Sequence, residues 1–132
     1  MSFHTYPALV TCLALLVYLW TGIACGAARA RHKIEAPAVT GAPEFERALR
    51  IQQNTLEQMM LFLPSLWLFS VYASAFWGGI IGLVFVAGRA YYILSYRRDP
   101  ASRGPGFVTG FIATAVLLAG GLLGVLRFML VS

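Results

Sequence analysis

An uncharged run from residue 58 to residue 88 constrains this chain more than any other feature. Taken as one α-helix, its 31 residues would measure about 46 Å at a rise of roughly 1.5 Å per residue. The hydrocarbon core of a bilayer is only about 30 Å thick. Two further uncharged runs, 5–28 and 104–126, each fit one crossing. If the middle run is a single tilted helix, the chain crosses three times, and its basic clusters at 29–50 and 89–103 land on opposite sides. If a tight turn near 74–79 divides it, the chain crosses four times and both clusters share one side, in keeping with the cytoplasmic bias of Arg and Lys. Only Arg127 then stands on the wrong side. The expected fold is therefore all-α, an integral membrane four-helix bundle. Its helices lie near 5–28, 44–73, 76–97 and 104–128. Loops 29–45 and 97–104 are expected to be cytoplasmic, with both termini opposite.

Composition agrees. The chain of 132 residues suits one domain; it is 59% hydrophobic and 11% charged, whereas soluble domains average about 25% charged. The net charge of +5 does not indicate nucleic acid, because the basic clusters border apolar spans. The N-terminal run lacks the basic lead-in of a cleaved signal and is long enough to cross, so it reads as a retained helix. Cys12 and Cys25 read as small apolar side chains, and no disulfide is expected. His4 and His32 have no ligand-like spacing, so no metal is expected. The pairs Gly78 and Gly82, Gly106 and Gly110, and Gly120 and Gly124 fit close helix packing. Pro64 is expected to kink helix 2, and the segments 34–42 and 97–106 read as irregular connectors.

Four spans have a chemical consequence. Residues 58–73 are too few to cross, so helix 2 must begin near 43–46 and carry Arg47, Arg50, Asn54 and Glu57 toward the membrane. Helix 3 must likewise carry Arg89. Ionisable groups at such depth are costly unless they face protein or water and are paired. At 100° per residue Arg47, Arg50, Asn54 and Glu57 share one helix face, as do Arg89, Tyr92 and Tyr96. Arginine exceeds glutamate in this set, and buried positive charge calls for an anion. A small peptide-like molecule with carboxylates and an amine would satisfy the arginines, amides, carboxylate and tyrosine hydroxyls together.

The stretch Gly41-Ala42-Pro43-Glu44-Phe45-Glu46-Arg47, continuing through Arg50, Gln52, Asn54 and Glu57, resembles the signature of the MAPEG family, the membrane-associated proteins of eicosanoid and glutathione metabolism. A second match, Gly88-Arg89-Ala90-Tyr91-Tyr92 with Tyr96 and then Arg103, is similar to its microsomal glutathione transferase branch. The likeness covers roughly 5–130. It implies a homotrimer that binds glutathione between neighbouring subunits. It implies glutathione contacts from Arg29, Arg50, Gln52, Asn54, Glu57, Arg89, Tyr92 and Tyr96, with Arg103 stabilising the glutathione thiolate. The second partner would be a lipophilic electrophile or lipid reaching the site through the membrane. Gln58 stands where the eicosanoid-synthesising members carry Tyr, and Arg29-Ala30-Arg31 replaces a pair of adjacent arginines. A general conjugating or peroxide-reducing role fits these departures better than a leukotriene substrate. The alternatives are a non-catalytic lipid-presenting member of the same family and, last, a transporter component. The charge is gathered at one membrane end, which disfavours the transporter.

Overall fold

The computed structural model describes residues 4–131. Helix α1 spans Thr5–Arg31 and α2 spans Pro43–Tyr72. Helix α3 spans Ala75–Arg98, a single 3-10 turn covers Pro100–Ser102, and α4 spans Gly104–Val131. Local chemistry sets these ends. Lys33 takes a left-handed φ of 53° just past α1, whose last turn carries Arg29 and Arg31, favourable at the negative end of a helix dipole. Helix α2 begins with Pro43, which has no N–H to leave unsatisfied, and Glu44 and Glu46 follow in its first turn. It then stays helical through Pro64.

The long uncharged run is divided by a two-residue turn, within one residue of where the expected helix ends place it. Only Ala73 and Ser74 separate α2 from α3. Ala73 and Ser74 both donate their N–H groups to Phe69 O, at 2.8 and 3.0 Å, and Ser74 Oγ caps α3 by accepting from Trp77 N–H at 3.2 Å. The turn therefore rests on a serine N-cap. Gly78 and Gly79 lie inside α3, where a Cβ would overlap Ser70 Oγ and come within 2.9 Å of Tyr6 Cβ.

Helices α1, α3 and α4 are long and apolar enough to cross a membrane; α2 is not among them, because its first half is polar. Helices α2 and α3 pack on each other along the short diagonal of the bundle, and α1 and α4 occupy the far corners. The core joins all four: Val10 and Ala14 from α1, Phe62 and Leu66 from α2, Phe85 from α3, Leu117 from α4. The Phe62 and Phe85 rings stack with centroids 3.8 Å apart.

In lipid the hydrophobic effect does little to hold helix against helix, so close van der Waals approach has to do so. Glycine supplies it. A Cβ on Gly106 would lie 2.6 Å from Tyr92 N and 2.9 Å from Gly88 O, and one on Gly124 would lie 2.6 Å from Tyr72 O. Helix α4 thus rests backbone to backbone on α3 at one end and on α2 at the other. The first of these contacts places the start of α4 beside the tyrosines of α3.

Candidate functional site

Arg50, Asn54 and Glu57 point from one face of α2 into a cleft closed on its other side by Tyr92 and Tyr96 of α3 and by Arg103, just ahead of α4. The cleft measures about 230 Å³. Both tyrosines are buried, with rings 5.6 Å apart. Arg103 lays its guanidinium 5.2 Å from the centre of the Tyr96 ring and donates from Nη1 to Pro100 O at 3.3 Å. That backbone oxygen belongs to a short connector held in place by side chains. Asp99 Oδ1 accepts from Ala101 N–H at 3.1 Å, and Ser102 Oγ donates back to Ser95 O at 3.0 Å. Two arginines therefore stand at the mouth, opposed among the lining residues by the single carboxylate of Glu57.

Arg89 lies behind this cleft and does not line it. Its side chain is fully buried at 0% exposure. Nη1 donates to Asn54 Oδ1 at 2.7 Å, and the guanidinium covers the Tyr92 ring at 4.2 Å. Among the described residues its Nε and Nη2 have no hydrogen-bond partner. The bond occupies the oxygen of the Asn54 amide, which leaves the amide N–H donors for the cleft.

Three further residues depart from the sequence reading. Arg29 stands apart from the cleft: it donates to Ala38 O at 2.8 Å and lies 4.6 Å above the Phe45 ring. Gln52 also turns away. At 100° per residue it is about 160° around α2 from Asn54, and its Nε2 lies 3.4 Å from where a Gly22 Cβ would stand on α1. Arg47, placed on the Arg50 face by the helical period, instead lines a different cleft with Arg97 and Arg98. Gln53 lines the candidate cleft and was not singled out, although the same helical arithmetic sets it only about 40° from Glu57.

Residues 7–123 match the MAPEG family, a stretch that takes in every one of these side chains. The chain belongs to the MAPEG family. An uncharacterized protein of Synechocystis sp. is 43% identical over 92% of this chain and 88% of its own length. Microsomal glutathione S-transferase 2 of Homo sapiens is 35% identical over 89% of this chain and 80% of its own. Leukotriene C4 synthase of Cavia porcellus is 35% identical over 93% of this chain and 82% of its own. MAPEG proteins are membrane helical bundles, and the lipid-facing leucines of α1 and α4 suit this one to that setting. Among the described residues of this MAPEG chain no three His, Cys, Asp or Glu side chains gather.

A second cleft of this MAPEG protein, of about 700 Å³, is distinct from the one just described. It opens on the other flank of α3, between α1 and α3. At its edge Glu44 pairs with Arg31 and lies 3.3 Å from His32. The hydrogen bond from Arg31, aided by His32, holds the Glu44 carboxyl below its ordinary range. This pair ties the loop end of α1 to the start of α2. It therefore fixes how the polar half of α2 is presented.

Proposed function

We propose that this MAPEG protein binds reduced glutathione in the cleft of Arg50, Asn54, Glu57, Tyr92, Tyr96 and Arg103 and joins it through its sulfur to a lipophilic electrophile. One observation carries the reading: two arginines, an amide, a carboxylate and two tyrosines from three chain segments converge at the polar end of an otherwise apolar bundle. Glutathione has two carboxylates, an ammonium group and a thiol. Arg50 can hold a carboxylate in a forked pair, Glu57 can accept from the ammonium, and the Asn54 N–H donors can meet a carbonyl or carboxylate oxygen. Arg103 is left for the sulfur. Only the thiolate is nucleophilic, and a guanidinium beside it favours that charged form. The thiolate sulfur then forms a bond to an electrophilic carbon. The bond from that carbon to its leaving group breaks, and the departing atom takes the electron pair. With a lipid hydroperoxide as acceptor, two glutathione molecules would instead yield the alcohol, water and glutathione disulfide.

We further propose that a neighbouring copy completes each site in a homotrimer. A ligand-burying pocket usually measures roughly 300–1,000 Å³, and the cleft of one chain, at about 230 Å³, falls short. Arg29 and Gln52 lie on the α1 flank of α2, the cleft on the opposite flank, and exposed Leu56 (45%) and Met60 (73%) form the ridge between. In a cyclic assembly such a ridge faces the axis, and one flank of each copy meets the other flank of the next. The Arg29 and Gln52 of one copy then meet the Arg50 and Arg103 of its neighbour.

Titrating reduced glutathione into the detergent-solubilised full chain should produce a thiolate absorbance in the ultraviolet that saturates below millimolar concentration. Absence of binding at millimolar glutathione, together with retention of a fatty acid, would replace this reading with the lipid-presenting one. The shared site has its own test. Chains carrying Arg50→Ala and chains carrying Arg29→Ala with Gln52→Ala should each bind poorly alone. Co-expressed in equal amounts, they should regain about a quarter of the intact sites, since a site needs the right chain on both sides of the interface. No recovery in the mixed assemblies would place the whole site within one chain.

A further inference from the structure

The 700 Å³ cleft between α1 and α3 has a two-part lining that the proposed glutathione site does not use. Its floor is apolar: Trp20, Ile23 and Ala27 of α1 face Leu94 of α3. Its rim is basic: Arg47 of α2 with Arg97 and Arg98 at the end of α3. These three arginines make no ion pair, hydrogen bond or ring contact among the described residues, and the one carboxylate in the cleft, Glu44, is already shared between Arg31 and His32. Three unneutralised guanidiniums therefore sit where an apolar channel meets the polar end of the bundle. Arg47 is half-buried, so its charge is not simply left to water.

The direction of the floor identifies what would fill it. On α1, Leu16, Trp20, Ile23, Ala27 and Arg31 recur at helical spacing and form one stripe. It begins at the charged end and runs toward mid-membrane, with Leu16 59% and Ile23 64% exposed. Leu94, 55% exposed, lies beside it on α3. A ligand matched to this surface has a strongly anionic head and a long apolar tail laid along the helix axis. Arg suits a phosphate because its planar fork donates two parallel N–H bonds, and basic pockets between transmembrane helices take up anionic headgroups.

We infer that the cleft between α1 and α3 is a binding site for an anionic phospholipid, its phosphate held by Arg47, Arg97 and Arg98 and one acyl chain lying over Trp20, Ile23 and Leu94. A zwitterionic lipid brings its own cation to the same three arginines and is disfavoured. The site is separate from the glutathione cleft. Arg29 stands about 180° around α1 from Trp20 at 100° per residue, so a neighbouring copy docked on the Arg29 flank leaves the lipid cleft facing the bilayer.

The experiment reads Trp20 fluorescence in the full chain, with Trp67→Phe and Trp77→Phe removing the other indoles. Micelles are doped with phosphatidylglycerol or phosphatidylcholine carrying brominated acyl chains, which quench on contact. Phosphatidylglycerol should reach half-maximal quenching at a mole fraction at least about tenfold below that of phosphatidylcholine. Arg97→Ala with Arg98→Ala should abolish that preference. Arg97→Lys with Arg98→Lys should keep most of it, and Arg127→Ala, at the other end of the bundle, should change nothing. Equal quenching by the two lipids, or a preference that survives Arg97→Ala with Arg98→Ala, would overturn the inference. So would full displacement of phosphatidylglycerol by millimolar glycerol phosphate, which would indicate a site for free phosphate.

Discussion

Replacing Arg103 by alanine is expected to abolish the thiolate band of bound glutathione at pH 7 and to slow conjugation by roughly 25-fold, while glutathione still binds. The size follows from titration. A free thiol has a pKa of about 8.5, so only about 3% is thiolate at pH 7. A guanidinium at close range lowers such a pKa by one to three units. A fall of about two units would bring the thiolate to roughly three quarters, about 25 times the free value. The sign of the pH dependence is fixed by the same argument. The native protein should be half-maximal near pH 6.5 and level off by about pH 7.5, and the variant should be half-maximal near pH 8.5 and keep accelerating to about pH 9.5. Arg103→Lys should recover part of the effect, because the charge remains. The position of Arg103 supports this role: the Tyr96 ring and Pro100 O hold its guanidinium at the cleft without neutralising it. An unchanged pH–rate profile in Arg103→Ala would remove Arg103 from the chemistry.

Arg89→Met is expected to do something different: leave the protein folded with an equal or higher melting temperature, yet weaken glutathione binding by roughly 10- to 100-fold. Arg89 is wholly buried and donates to Asn54, and among the described residues its Nε and Nη2 have no partner at hydrogen-bond geometry. An incompletely satisfied buried charge is destabilising by several kcal/mol, and apolar residues of similar volume often replace buried ions at no loss. Arg89 therefore works against stability. What it supplies is position, because it fixes the Asn54 amide by its oxygen and covers the Tyr92 ring. The loss should fall on KM rather than kcat, and the thiolate band should return in full at saturating glutathione, unlike in Arg103→Ala. A variant that unfolds, or one that binds glutathione as the native protein does, would show Arg89 to be merely structural.

Much of this architecture is legible in the amino-acid order, for identifiable reasons. Charge tells where lipid ends, so the bare runs mark α1 and α4, and bilayer thickness forces the division of 58–88. Length alone then requires α2 to bring Arg50, Asn54 and Glu57 toward the membrane. Helical period likewise groups Arg50, Asn54 and Glu57 on one face. The period gives only an angle about one helix, however. It does not say which neighbour lies at that angle, and this is why Arg47 was grouped with Arg50 although α1 and α3 enclose it in the other cleft. Arg89 was read as a ligand contact because burial depth is invisible in one dimension. The expected break between 73 and 76 lies within a residue of the observed one, because bilayer thickness leaves little room for it elsewhere, and Gly78 and Gly79 lie past it, inside α3. In a membrane bundle they mark contact between helices.

The tight join at Ala73 and Ser74 bears on how the chain enters the bilayer. Helices α1 and α4 are apolar enough to partition into lipid on their own, whereas α2 is not and α3 carries Arg89. A bare arginine near the centre of an isolated helix costs about 2.5–3.5 kcal/mol to insert. Asn54 relieves that cost when α2 lies beside α3, and a two-residue connection keeps the two helices together. A join this short favours insertion of α2 and α3 as one hairpin, in which Asn54 is at hand to partner Arg89 without any ligand.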